Sequence, residues 1–193
     1  MSRRVAVVKT GRAGSASLLA ALRRCGAEPF FPENPGEVEA TTFLALCGAG
    51  PFGQAMAALE TAGFVEPLRT RIEYDRPTIA IGLGMHLLFE TCGPSGGIAA
   101  VPGEVGQLPS PHIGWNAVEG EDATLPEGLA YFCHGMATLT EPDGWLASWA
   151  DHGGPIVAAV QRGTVLGSQF HPELSAGYGE RILRTWLMEW ASW

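Results

Sequence analysis

The chain has 193 residues, 46% of them hydrophobic, which supplies a sizeable core for about one domain's worth of sequence, so a single globular domain over 1–193 is expected. Its 12 basic against 20 acidic residues give a formal charge of −8 and a pI near 5.1, and no basic stripe offers a surface to a phosphate backbone, which argues against nucleic acid as a partner. Cys25, Cys47, Cys92 and Cys133 have no Cys-x-x-Cys spacing, the apolar run after Arg4 stops at Lys9, and no segment reaches membrane-spanning length. Reduced thiols in the cytoplasm, without a secretory leader or membrane contact, are therefore expected.

Val5-Ala6-Val7-Val8 is a short β-branched run, and 15–25 then reads as a helix with Leu18, Leu19 and Leu22 on one side and Gly26 as its stop. A second strand and helix follow at 42–47 and 54–62, separated by Gly48-Ala49-Gly50-Pro51-Phe52-Gly53; a third pair is predicted at 78–81 and 85–91, joined by Gly82-Leu83-Gly84. Three βα units predict a parallel sheet with crossover helices, and ligands at the carboxyl ends of its strands. From about Val101 the texture changes to strand-like runs at 115–118, 130–133, 145–150, 156–161 and 164–169, divided by Gly, Pro and Asp turns and expected mostly to extend the sheet. The closing segment, 178–190, places Ile182, Leu183, Trp186, Leu187 and Trp190 at helical spacing to cover one sheet face, with the tryptophans as core packing. The predicted fold class is α/β: a three-layer sandwich whose largely parallel central sheet is extended by antiparallel strands.

The turn at Gly82 has the strand-turn-helix shape with which hydrolases present a nucleophile, but a residue without a side chain stands at its tip. Downstream, Gln169-Phe170-His171-Pro172-Glu173 follows another strand, and a His with a carboxylate two residues on is the base and orienter of a nucleophilic triad. Gly48-x-Gly50-x-x-Gly53 matches a dinucleotide fingerprint in letters, yet Pro51 removes a backbone donor near the helix start and no strand ends in an acid about 20 positions on. It reads as a tight loop or as backbone N–H groups beside the active centre, an oxyanion hole. Gly11-x-x-Gly14-Ser15 lacks the ending of a phosphate-binding loop and reads as an N-capped turn. His86 stands alone on its helix, and His112, His134 and His152 lie on separate segments; neither a metal nor a cofactor is expected.

Taken with their order and spacing, these segments resemble the class I glutamine amidotransferases, and within them the glutaminase subunit of imidazole glycerol phosphate synthase. Leu46-Cys47-Gly48-Ala49-Gly50-Pro51-Phe52 stands where that family has a Leu-Pro-Gly-Val-Gly-type loop, and Gly82-Leu83-Gly84-Met85-His86-Leu87-Leu88-Phe89 where it has Cys-Leu-Gly-Met-Gln-Leu-Leu-Phe. Further matches are Pro102-Gly103-Glu104-Val105, His112-Ile113-Gly114-Trp115-Asn116, Tyr131-Phe132-Cys133-His134 and Gly167-Ser168-Gln169-Phe170-His171-Pro172-Glu173. The resemblance implies His171 as base, Glu173 as its partner and Gly82 at the nucleophile position. It also implies substrate contacts at Gly48, Ala49, Gly50, Leu83, His86 and His134, and a face toward a (β/α)8 cyclase-type synthase subunit at Trp115, Asn116 and Leu174.

The departures gather around the same pocket. The family's Gln is His86, its Ser-x-Glu stretch is Cys92-Gly93-Pro94-Ser95, its His-Ser-Tyr is His134-Gly135-Met136, and an interface lysine is Leu174. Its Asp-Tyr-Gly-x-Gly-Asn pattern after the first strand is Lys9-Thr10-Gly11-Arg12-Ala13-Gly14. Glycine cannot form a thioester, so the leading expectation is a catalytically silent subunit, a pseudoenzyme that binds and activates a cyclase-type synthase in a heterodimer. The alternative is an active glutaminase with a relocated nucleophile. Cys47, at the end of the strand beside the turn, and Cys133, next to His134, are the candidates; Cys92 is expected about 15 Å away along a helix.

Overall fold

A computed structural model describes residues 3–11, 15–120 and 125–189 of the chain. In chain order its first half contains β1 (Arg3–Thr10), α1 (Ser15–Arg24), β2 (Ala27–Phe30), α2 (Pro35–Ala40), β3 (Phe43–Gly48), α3 (Phe52–Thr61), α4 (Val65–Glu73), β4 (Thr78–Gly82) and α5 (Leu83–Leu87). The second half contains β5 (Phe89–Cys92), β6 (Ser95–Gly96), β7 (Val101–Val118), β8 (Gly128–Ala137), β9 (Leu146–Asp151), β10 (Pro155–Arg162), β11 (Val165–Ser168) and α6 (Ala176–Glu189).

Seven strands form one sheet in the order β2-β1-β3-β4-β11-β10-β9. The first five are parallel, and β10 and β9 extend the sheet antiparallel. Alternation along the strands divides the interior in two: Val5 and Val7 join the core under α1 and α6, while Ala6 and Val8 join the core under α3 and α4. A sheet buried on both faces needs apolar residues at every position, which is what Val5 to Val8 and Leu44 to Leu46 provide. The result is the expected α/β sandwich with helices on both faces.

Arg71 fixes the amino-terminal side of this sheet. Its guanidinium is almost fully buried and donates to Thr78 Oγ1 and to the carbonyls of Val38, Thr41, Thr42 and Pro77, so one α4 side chain closes the loops leading into β3 and β4. Burial, with Arg76 nearby, pushes it down to about 9, which leaves it charged at neutral pH. α2 was missed at the sequence level although it carries a start signal: Asn34 accepts from Glu37 N, and the Glu37 carboxylate reaches back to Glu33 N.

One expectation fails. The helix expected over 85–91 ends at Leu87, and Phe89–Cys92 is strand β5, paired with β7. Leu87, Leu88 and Phe89 are each fully buried, so the apolar run has no exposed face and its period does not report a helix. The 15 Å placement of Cys92 along that helix falls with it. Of the later strands, β9, β10 and β11 extend the main sheet, as expected of most of them, whereas β7 and β8 pair with β5 and β6 in a separate four-stranded sheet. β7 has 18 residues and shifts register against β8 between Gln107 and His112, where Pro109 and Pro111 interrupt the run. Trp186 is 1% exposed and packs edge-on against Phe43, 5.4 Å between centroids, as core packing requires. Trp190, Arg12, Ala13 and Gly14, with the turn expected at Gly11-x-x-Gly14, lie outside the described residues.

Candidate active site

β4 delivers Gly82 to the carboxyl edge of the sheet at φ 57, ψ −116. A side chain adopts that backbone conformation only at a cost of about 1–3 kcal/mol, whereas glycine enters it freely. α5 starts at the next residue, and Gly84 is required there because a Cβ would collide with the carbonyl of Leu46 on β3. The turn thus lies against β3, and the register pairs Cys47 with Ile81 and Gly48 with Gly82. The Gly48–Gly50 turn therefore borders the elbow, with Ala49 and Gly50 exposed.

β11 brings His171 to the same edge. A Cβ built on Gly82 would stand 3.3 Å from His171 Cε1 and 3.4 Å from Nε2. His171 Nδ1 donates to Glu173 Oε1 at 2.9 Å, and the Glu173 side chain is only 4% exposed. That hydrogen bond puts the proton on Nδ1 and leaves Nε2 as the acceptor on the side facing Gly82. Glu173 Oε2 is buried without a hydrogen-bond partner among the described residues. The main chain of the base is held as well: His171 N donates to Tyr131 O, and Ser175 Oγ donates to His171 O at 2.7 Å while accepting from Tyr131 N at 2.9 Å. Ser175, two residues past Glu173, has no exposed surface and was not singled out from sequence.

His86 and His134 are placed differently. His86, 4% exposed, donates through Nε2 to Gln169 Oε1 at 2.6 Å, and burial pushes its pKa down. His134 lies on β8 within a chain of hydrogen bonds: Asn116 Nδ2 to His112 Nε2 at 3.1 Å, His112 Nδ1 to His134 Nε2 at 3.0 Å, and His134 Nδ1 to Met136 O at 2.8 Å. Only neutral rings, each with its proton on Nδ1, satisfy all three bonds in series. Burial pushes His112 down to about 4, with His152 adding to the fall, and His134 down to about 3. His152 stacks on His112 at 4.4 Å between centroids, so three histidines that the sequence places on separate segments come together. No group of three or more His, Cys, Asp or Glu with metal-holding geometry occurs among the described residues.

The other candidates divide by exposure. Trp115 (55%), Ile113 (65%) and Leu129 (60%) lie on the outward face of the β7–β8 pair, with Trp115 opposite Tyr131 and Ile113 opposite Cys133. Leu174 is 43% exposed just beyond the base. Asn116 is turned inward, where its amide also donates to Asp151 O. Cys47 is buried, and burial together with the nearby Glu173 pushes its thiol up to about 12. Cys133 is exposed, next in sequence to His134 and so on the opposite side of β8.

A class I glutamine amidotransferase family model matches residues 17–190. The imidazole glycerol phosphate synthase subunit HisH of Xylella fastidiosa is 40% identical over 197 residues, covering 95% of this chain and 96% of that protein. That of Symbiobacterium thermophilum is 37% identical over 196 residues, covering 95% and 92%. The Arabidopsis thaliana protein imidazole glycerol phosphate synthase hisHF, chloroplastic, is 33% identical over 95% of this chain and 34% of its own length. Among solved structures, a glutamine amidotransferase aligns with a TM-score of 0.77 at 20% identity, covering 95% of this chain and 96% of that one. PurLQS from Thermotoga maritima aligns at 0.78 and 16% identity, covering 97% and 98%. Those two likenesses show the fold. Identity above 30% along nearly the full length of this chain is closer kinship than a shared architecture, and the chain belongs to the class I glutamine amidotransferases.

Proposed function

We propose that the chain is the amidotransferase-type subunit of an imidazole glycerol phosphate synthase that has lost glutaminase chemistry at position 82 and acts as the binding and activating partner of a (β/α)8 cyclase-type subunit. The observation that carries this reading is Gly82 itself: the elbow conformation, the base and its carboxylate are in place, and the residue facing the base has no atom to acylate. The names of the relatives support the assembly, since one is a subunit and the Arabidopsis protein joins a segment like this chain to a longer polypeptide. The outward face of β7–β8, with Trp115, Ile113 and Leu129, supplies the exposed apolar surface that a docking partner covers, continued by Leu174 beside the base. Without a thiol at position 82, the synthase would use free ammonia.

The competing reading moves the nucleophile to Cys47 or Cys133. The high pKa of the buried Cys47 thiol and the outward position of Cys133 both count against it. The test is titration of the purified chain with the cyclase-type subunit of its native host, read by calorimetry together with glutamine- and ammonia-dependent turnover. Binding with ammonia-dependent but no glutamine-dependent turnover is expected, and Trp115→Ala should weaken binding roughly tenfold to thirtyfold. Ammonia release from glutamine that disappears on Cys47→Ala or Cys133→Ala would replace this reading with the other.

A further inference from the structure

The elbow and the His171 ring stand close together, with no side chain of position 82 between them. Beyond the chain neighbours of Gly82, the atoms within 4 Å of a Cβ built there are, among the described residues, Cε1 and Nε2 of His171 alone. The ring is not sealed in: the His171 side chain is 22% exposed, and its Nδ1 proton is held by Glu173 at 2.9 Å, leaving Nε2 as an acceptor turned toward the gap. The main chain of His171 is fixed at N and O by Tyr131 and Ser175, so the ring is presented by a stiff support. The Gly48–Gly50 turn lies alongside, since Gly48 is the register neighbour of Gly82.

From this geometry we propose that the elbow is a water-using hydrolase site for small, activated carboxylic esters, with His171 as the general base. This rests on the reading that position 82 has no nucleophile of its own. Water enters the locus one bond beyond a Cβ, where a thiol would otherwise stand, and hydrogen-bonds to His171 Nε2. Its oxygen attacks the ester carbonyl carbon: a C–O bond forms, the π pair moves to the carbonyl oxygen, and one water proton passes to Nε2. Collapse of the tetrahedral species breaks the bond to the leaving alkoxide or phenoxide, and the imidazolium returns its proton to that oxygen. The products are a carboxylic acid and an alcohol or phenol. Glu173 accepts from Nδ1 and holds the ring in place throughout. Esters with good leaving groups are the substrate class because the reaction has no covalent stage to divide the barrier, whereas an amide such as glutamine must expel a far poorer leaving group.

The test is hydrolysis of 4-nitrophenyl acetate by the full chain, followed by nitrophenolate release and intact-protein mass. With Cys133 replaced by Ala to remove the exposed thiol, the protein should hydrolyse the ester above the buffer rate, with linear time courses and no acetylated protein. His171→Gln should reduce the protein-dependent rate roughly tenfold to a hundredfold, and His152→Asn, a control for histidines elsewhere, should leave it unchanged. Gly82→Cys should convert the linear course into a burst with an acetylated protein. A rate no higher than buffer, an unchanged rate in His171→Gln with a native melting curve, or acetylation of the Cys133→Ala protein would each overturn the proposal. Calorimetric binding of the cyclase-type subunit does not involve this step, so the two readings fail separately.

Discussion

The candidate site has two sides, a base wall at His171 and an elbow wall at Gly82, and they are anchored to very different degrees. On the base wall, His171 is bonded through Nδ1 to Glu173, through N to Tyr131 and through O to Ser175, whose hydroxyl also receives Tyr131 N. On the elbow wall, Gly82 contributes only backbone, and His86 is directed to Gln169 in the interior. The difference teaches that the contacts of His171 serve the fold as well as any chemistry at the elbow. The base wall ties β8 to the segment after β11, so the contacts of His171 also hold the fold together. The elbow wall is relaxed by glycine, so a residue without a side chain is the unstrained choice there.

The largest effect is expected from Ser175→Ala. Removing its hydroxyl leaves Tyr131 N and His171 O without their partner in a buried setting and should cost roughly 3 kcal/mol, read as a lowered urea midpoint. A cost below about 0.5 kcal/mol would show that the base wall is not structural and would leave function as the reason for its retention.

Gly82→Cys probes the opposite wall. The φ of 57 and the 3.3 Å approach of the new Cβ to His171 together predict a loss of about 1–3 kcal/mol. Next to an imidazole the new thiol should favour thiolate and react with iodoacetamide at least about tenfold faster than an ordinary cysteine. Glutamine turnover should stay low, because His86 is engaged with Gln169 and Gly135-Met136 do not reproduce the family's pocket. Ordinary thiol reactivity would show that His171 is not aimed at the elbow.

How much of this was legible follows the same division. The parallel half could be read because Val5 to Val8, Leu44 to Leu46 and Thr78 to Ile81 are short apolar runs closed by glycine turns, and because His171 and Glu173 are neighbours in sequence. The segment after Gly82 was misread because Leu87, Leu88 and Phe89 are buried on every side, which erases periodicity. The histidine cluster was invisible because His112 and His134 meet only through the β7–β8 register, and that register shifts at the prolines between Gln107 and His112. Long-range pairing leaves no local trace in sequence.

That cluster gives the next test. The folded pKa values of about 4 for His112 and about 3 for His134 lie below the unfolded value of 6.5. Between them the unfolded chain binds more protons, so the stability contributed by neutral rings is complete above about pH 6.5 and is lost as the pH falls toward 3. His134→Gln removes one such group and should reduce the loss by about 1 kcal/mol at pH 5.5, measured from urea midpoints across a pH series. An unchanged slope would mean that His134 takes up its proton in the fold without breaking the bond to His112.

The smallest effect is expected at Cys133. Its side chain is exposed on the outward face of β8, opposite Ile113 and away from His134, so Cys133→Ala removes no buried surface and should shift stability by less than about 0.5 kcal/mol. Glutamine-dependent ammonia release should be absent in both forms, because the Cys133 thiol projects to the side of β8 opposite His134. The informative change is in docking. Cys133 belongs to the face that carries Ile113 and Trp115, and a bulky maleimide on its thiol would stand where a partner must approach. Alkylation should therefore block binding of the cyclase-type subunit in the wild type and leave Cys133→Ala unaffected. If alkylated wild type still binds, the partner surface lies elsewhere and the exposed β7–β8 face needs another explanation.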